Sequence, residues 1–249
     1  MALNDNIILN SLSSVRKIED KFISALDSTM SKLNSGLMDA VISGSDIATA
    51  ETALARQNVE KILLDSGYYE TTGKLLDEGY QDTIEESFKI YKKSVSENFQ
   101  FADASLERLN SIKNLDLAQF TNLGDNFATQ ITRTMTDLQF GAITKNQAIK
   151  LLAENVDMLK RHASTWVTTG LSGIYRESSM MLAEDNGLEQ FIYVGPRDGL
   201  TRPFCSKYLN QTKTKKEWDA LIEEQNQGLA PVSQFGGGYN CRHQFIGVA

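Results

Sequence analysis

Glu184-Asp-Asn-Gly-Leu-Glu-Gln-Phe-Ile-Tyr-Val194 is the junction on which the fold turns. Upstream, from Ala163 to Asp185, apolar residues recur at helical spacing, interrupted by Gly170 and Gly173, and Asn186-Gly187 ends the pattern as a left-handed C-cap would. Downstream, Gln190–Val194 reads as a short strand and meets a turn at Gly195-Pro-Arg-Asp-Gly199. A helical chain therefore gives way here to something else.

The same boundary is written in composition. All three prolines and both cysteines lie in the last 54 residues. Because proline disrupts helix interiors, the 195 residues before Pro196 can be a set of long helices. The fold class expected is mainly α, with long helices, bundled or coiled-coil-like, followed by a small α+β module at residues 188–249. The helical part divides into residues 1–119, a partner-binding or oligomerising region, and residues 120–187.

Ile8, Leu12, Val15, Ile18, Phe22, Leu26, Met30, Leu33 and Leu37 step by three or four residues, which makes one long amphipathic helix. Gly36 and Ser43-Gly44-Ser45 are expected to break it. A second helix should span about Ile47 to Asp65 and end near Ser66-Gly67. A third region runs from about Tyr69 to Asn98, and Ala102–Leu115 and Thr121–Phe140 continue the pattern. Thr144 and Gln147 form a capping box for a helix from Lys145 to His162 or further. In the tail, Thr214 and Glu217 form a second box, with Trp218, Leu221, Ile222 and Gln225 on one face of the helix it opens. Gly236-Gly-Gly238 then leads into a closing strand, Tyr239–Val248.

The chain carries a net charge of −7, divided as +1 from Leu188 onward and −8 before it. Since backbone affinity for nucleic acid comes mainly from Lys and Arg, any DNA contact should be local. No apolar run approaches the roughly 20 residues of a membrane-spanning helix. The N-terminal sequence lacks the basic start and apolar stretch of a secretory signal, so synthesis and folding are expected in a cytoplasm.

Two clusters concentrate reactive side chains: Asp198-Gly-Leu-Thr-Arg-Pro-Phe-Cys205 and Gly236-Gly-Gly-Tyr-Asn-Cys-Arg-His243. On a strand, Cys241, His243 and Phe245 share one face, and Arg242, Gln244 and Ile246 the other. Several readings stay open. Cys205 and Cys241 are core residues; or Cys205, Cys241 and His243 hold a structural zinc, with His162 or Asp198 as fourth ligand; or the cysteines close a loop of about 37 residues by a disulfide worth roughly 3–4 kcal/mol. A staple suits a 62-residue module with a small core. A Cys205–His243 thiol-hydrolase dyad oriented by Asn240 is the enzymatic alternative, but its flanking residues match no thiol-protease context. The expectation is therefore no catalysis. Arg176-Glu177 reads as a pair of surface charges, and Lys213, Lys215 and Lys216 as a solvated helix start.

Phe140-Gly-Ala-Ile-Thr-Lys-Asn-Gln147, the helices to Gly187, Phe191–Val194, Thr-Arg-Pro-x-Cys205 and Asn-Cys-Arg-His243, in that order, resemble the tailed-phage minor head protein family. This is the head morphogenesis group related to the Mu F protein and the SPP1 minor head protein. The resemblance covers about Phe120 to Ala249. Many relatives carry a second Cys where this chain has His243, and often an Arg-Thr-Glu element where it reads Trp166-Val-Thr-Thr-Gly170. The resemblance implies a low-copy virion protein of the head, near the portal, acting in head morphogenesis and in DNA packaging or ejection. Its partners would be portal or capsid protein, or further copies of itself. A virion-carried toxin-like effector using Cys205 and His243 is the alternative. Within the module, Asp198 and Asn240 are expected to fix turns, Pro203 belongs to the Thr-Arg-Pro-x-Cys element, and Arg202 and Arg242 are expected to hold loops or carboxylates through planar, bidentate hydrogen bonds.

Overall fold

The computed structural model describes residues 5–43, 52–94, 98–225 and 227–248. The chain is mainly helical. Its elements are α1 (Asp5–Ser43), α2 (Thr52–Asp65), α3 (Tyr68–Lys74), a π-helical step (Leu75–Gly79), α4 (Tyr80–Ser94), α5 (Asp103–Gln139) and α6 (Lys145–Asp185). There follow β1 (Gln190–Val194), α7 (Pro203–Tyr208), β2 (Thr212–Thr214), α8 (Lys215–Asp219), α9 (Ile222–Gln225), α10 (Val232–Phe235) and β3 (Gln244–Val248). The expected break at Gly44-Ser45, the helix start near Ile47 and residues 95–97 of the third region lie outside the described residues.

Two compact units divide the chain, cutting across the segments seen in sequence. One contains Met1–Lys21, Leu76–Asp116 and Thr165–Ala249; the other contains Phe22–Leu75 and Leu117–Ser164. Residues 188–249 are thus one part of a larger unit.

The second unit is helical throughout, and its core is the apolar stripe that the periodicity specifies. Leu26, Leu33, Leu37, Val59, Leu63, Phe120, Ile131 and Leu152 are all buried. Gly36 does not end α1. A Cβ there would come within 3.1 Å of Ile62 Cγ2, so this glycine lets α1 and α2 approach closely. Along α5, the hydroxyls of Thr121, Thr129, Thr132, Thr134 and Thr136 each donate to the carbonyl four residues back, which keeps these polar groups satisfied on the helix itself.

In the first unit the latter part of α6 is central. Every residue from Thr169 to Ala183 is buried, so this helix has no solvent face and must be packed all round. Gly170 and Gly173 do not interrupt it. A Cβ at Gly170 would fall 2.3 Å from Tyr80 Oη, where that phenol donates to the buried Asp116. Helix α6 ends where expected, with Gly187 at φ 83°.

Three antiparallel strands in the order β2-β1-β3 form the sheet. Strand β1 is central, pairing Phe191 with Lys213 on one side and Tyr193 with Phe245 on the other. Strand β3 begins at Gln244 rather than Tyr239, and Gln244–Gly247 are buried without alternation, as in a strand covered on both faces. Gly247 permits one of those contacts: a Cβ there would lie 2.5 Å from Ala183 Cβ. Its N–H donates to Tyr91 Oη at 2.8 Å. The Thr214–Glu217 capping box is present, but its helix ends at Asp219, and Ile222–Gln225 is a separate turn of helix.

A candidate metal centre

Proline at the start of α7 follows an extended Arg202 and sets the helix direction. That turns Phe204, Cys205 and Tyr208 into the core of the first unit. Cys241 arrives from the irregular stretch between Gly238 and His243, where Asn240 adopts φ 55°, a conformation that asparagine tolerates better than most residues. The Asn240 N–H donates to Thr169 Oγ1 on α6 at 3.1 Å. Convergence of the cysteines therefore depends on a turn, and strand alternation from Tyr239 has no part in it.

Cys205, Cys241 and His243 are each 2% exposed, and their ligand atoms lie within 4.8 Å of one another. The sulfurs are 3.8 Å apart and both cysteines are free. Cys241 Sγ accepts the Gly237 N–H at 3.1 Å, and Tyr193 Oη lies 3.2 Å from it and 3.4 Å from Cys205 Sγ. The two thiols differ electrostatically. The Cys205–Cys241 hydrogen bond, with burial, pushes Cys205 up; the same bond, with help from His243 and Arg176, pulls Cys241 down. Such a set of two sulfurs and an imidazole could hold a metal ion.

The glycines make room for it. A Cβ at Gly237 would lie 2.3 Å from Cys205 Sγ, and one at Gly195 would strike the His243 ring at 2.5 Å. The Tyr193 and His243 rings stack at 5.2 Å between centroids.

Around this cluster the two sequence motifs are tied together. Arg202 donates to the carbonyls of Gly237 and Tyr239, at 3.2 and 2.5 Å. Arg242 makes a bidentate pair with Asp198, at 2.7 and 2.8 Å. Asp198 also accepts the Leu200 N–H, closing the tight turn. Arg242, then the Leu200 amide, hold its carboxyl well below the usual carboxylate range.

Neither fourth ligand suggested by the sequence joins the three. Asp198 is taken by Arg242, and His162 lines a hollow in the other unit with Phe127, Asn155 and Met158.

Arg176 and Glu177 are not surface charges; both are 0% exposed. Arg176 donates to the carbonyls of His243, Gln234 and Cys241 at 2.9, 2.7 and 2.7 Å. Glu177 meets Arg108 at 3.2 Å, Lys215 at 3.4 Å and Ser233 Oγ at 3.3 Å. Lys215 is accordingly no free solvated charge, its side chain being 15% exposed. The signal that locates this pair is the run Met180-Met-Leu-Ala183 just beyond it: a helix apolar on all sides has no surface on which to leave a charge. Tyr193 was hidden for the opposite reason, since an aromatic residue in a strand reads as ordinary core.

Comparison with protein-family models, with curated proteins and with solved structures gives no match for this chain.

Proposed function

We propose that this chain is a minor head protein of a tailed phage, a low-copy virion component that docks on portal or capsid protein and works in head morphogenesis. Its helical part supplies contacts to partners or to further copies, and the 188–249 module is a rigid docking unit stapled by zinc on Cys205, Cys241 and His243. Contact with packaged DNA is local, and a role in packaging or ejection follows from a place near the portal vertex. The observation that carries this reading is the meeting of the two elements on which the family resemblance rests. Thr-Arg-Pro-x-Cys and Asn-Cys-Arg interlock through Cys205 beside Cys241, Arg202 on the Gly237 and Tyr239 carbonyls, and Asp198 on Arg242.

The same burial argues against the effector reading. A thiol nucleophile must meet its substrate, and Cys205 and His243 are 2% exposed, with the Cys205 thiol pushed toward its protonated form. Among the described residues no helix is long and apolar enough to cross a membrane.

Particles produced by the genome that encodes this chain provide the test. Mass spectrometry of purified heads should find the chain at few copies, with crosslinks to portal or capsid protein. Heads that lack it would sink the proposal. Cys205→Ser should leave any particle-associated hydrolysis unchanged, and a specific loss would revive the enzyme.

A further inference from the structure

We propose that Tyr193 supplies the fourth ligand of the centre, making it a Cys205, Cys241, His243, Tyr193 site of net charge −1 that is balanced by the buried guanidinium of Arg176. This rests on the zinc reading above and deepens it.

A closed structural zinc site takes four ligands, and three are accounted for. Because all three are buried, the fourth has to come from the side chains around them. Tetrahedral geometry with zinc–sulfur bonds of about 2.3 Å puts two sulfurs about 3.8 Å apart, and a sulfur and an oxygen ligand about 3.5 Å apart. The sulfurs stand at 3.8 Å, and Tyr193 Oη at 3.4 and 3.2 Å from them. Tyr193 is 0% exposed on the central strand, its ring wedged against Phe245 and Trp218 at centroid distances of 4.8 and 5.6 Å. Its oxygen is therefore fixed in place. Gly236 keeps the space clear, since a Cβ there would lie 3.0 Å from Cys241 Sγ and 3.2 Å from Tyr193 Oη.

Charge supplies an independent argument. Arg176 is wholly buried, and its three hydrogen bonds all go to neutral carbonyls; among the described residues no carboxylate reaches ion-pair distance, and the one buried carboxyl that feels its charge, Glu19, is pushed by burial toward its neutral form. A buried cation calls for a nearby anion. Zinc with two thiolates and a neutral imidazole has no net charge. When the phenol also gives up its proton, three protons leave for solvent and the centre becomes −1. Two of the carbonyls that Arg176 holds belong to Cys241 and His243, so the guanidinium lies directly behind the ligands.

The test uses the full chain, loaded with zinc and then stripped by a chelator. The loaded-minus-stripped near-ultraviolet spectrum at neutral pH should show a band of metal-bound phenolate. Tyr193→Phe should lose that band and bind zinc at least about tenfold more weakly in chelator competition. X-ray absorption of the wild-type zinc edge, which needs no variant, should fit two sulfurs, one nitrogen and one oxygen with phenol carbons behind the oxygen. Zinc bound without the phenolate band and without phenol carbons would overturn the Tyr193 assignment while the zinc reading stands. No bound zinc, and a fold unmoved by the chelator, would remove both.

Discussion

The helical unit of Phe22–Leu75 and Leu117–Ser164 and the turn-rich stretch 188–249 solve the same problem in different ways. Within a helix most backbone carbonyls find a partner on their own segment, so side chains are left free to pack. The 188–249 stretch has short elements joined by turns, and its carbonyls are met by particular side chains: Trp218 Nε1 on Phe191, Gln225 Nε2 on Gly236, and Arg176 on Gln234, Cys241 and His243. A segment built that way concentrates its dependence on few residues, whereas a helical core spreads it.

The sharpest test of that contrast is Arg176→Met, which keeps the bulk and strands the buried carbonyls of Cys241 and His243 and the partly buried one of Gln234. It should cost about 3–5 kcal/mol, at roughly 1–3 kcal/mol for each carbonyl left without a donor, and amide exchange should accelerate over residues 232–248 as a block. A loss below about 1 kcal/mol would break the comparison. In the other unit, Leu33→Ala should cost about 3 kcal/mol through the cavity it leaves, with weaker protection spread along the neighbouring helices instead of one released block.

Glu19 extends the test to pH. Burial raises its pKa from 4.5 to about 7, against the opposing pull of Arg16 and Thr168. The folded state thus holds this proton more tightly than the unfolded one. Stability on this account is full below about pH 4.5 and falls as pH rises through about 7. Glu19→Gln should be the more stable chain at pH 8, by roughly 2–3 kcal/mol at most, and should show a smaller drop from pH 5 to 8. Urea midpoints at the two pH values decide it, and equal drops in both chains would count against it. The smallest effect is expected at Thr214→Ala, where loss of the capping box should cost about 1 kcal/mol and loosen α8 alone.

What could be read from the sequence follows from the same contrast. Local rules fixed α1, the end of α2, the α6 capping box, the Gly187 cap, β1 and the Thr214 box, because each depends on a few neighbouring residues. Gly36 and Gly170 misled because they serve packing against Ile62 and Tyr80, partners remote in sequence. The Tyr239 strand start failed because Asn240 turns the chain, and the two cysteines meet through that turn. Arg176-Glu177 looked exposed when taken as a dipeptide, and only the apolar residues beyond it say otherwise.

The central position of β1 also has a kinetic side. Helices close through contacts four residues apart, on microsecond timescales, but Gln190 of β1 must wait for Val248 of β3, its partner across the ladder. Until that long loop closes, β1 has only the short β2 beside it, and the hydrogen-bonding edge that β3 will cover is open. Long-range closure of this kind slows folding and lengthens the life of an unpaired strand edge. The sheet, a small fraction of the residues, should therefore set the refolding rate of the unit and be its point of entry for aggregation.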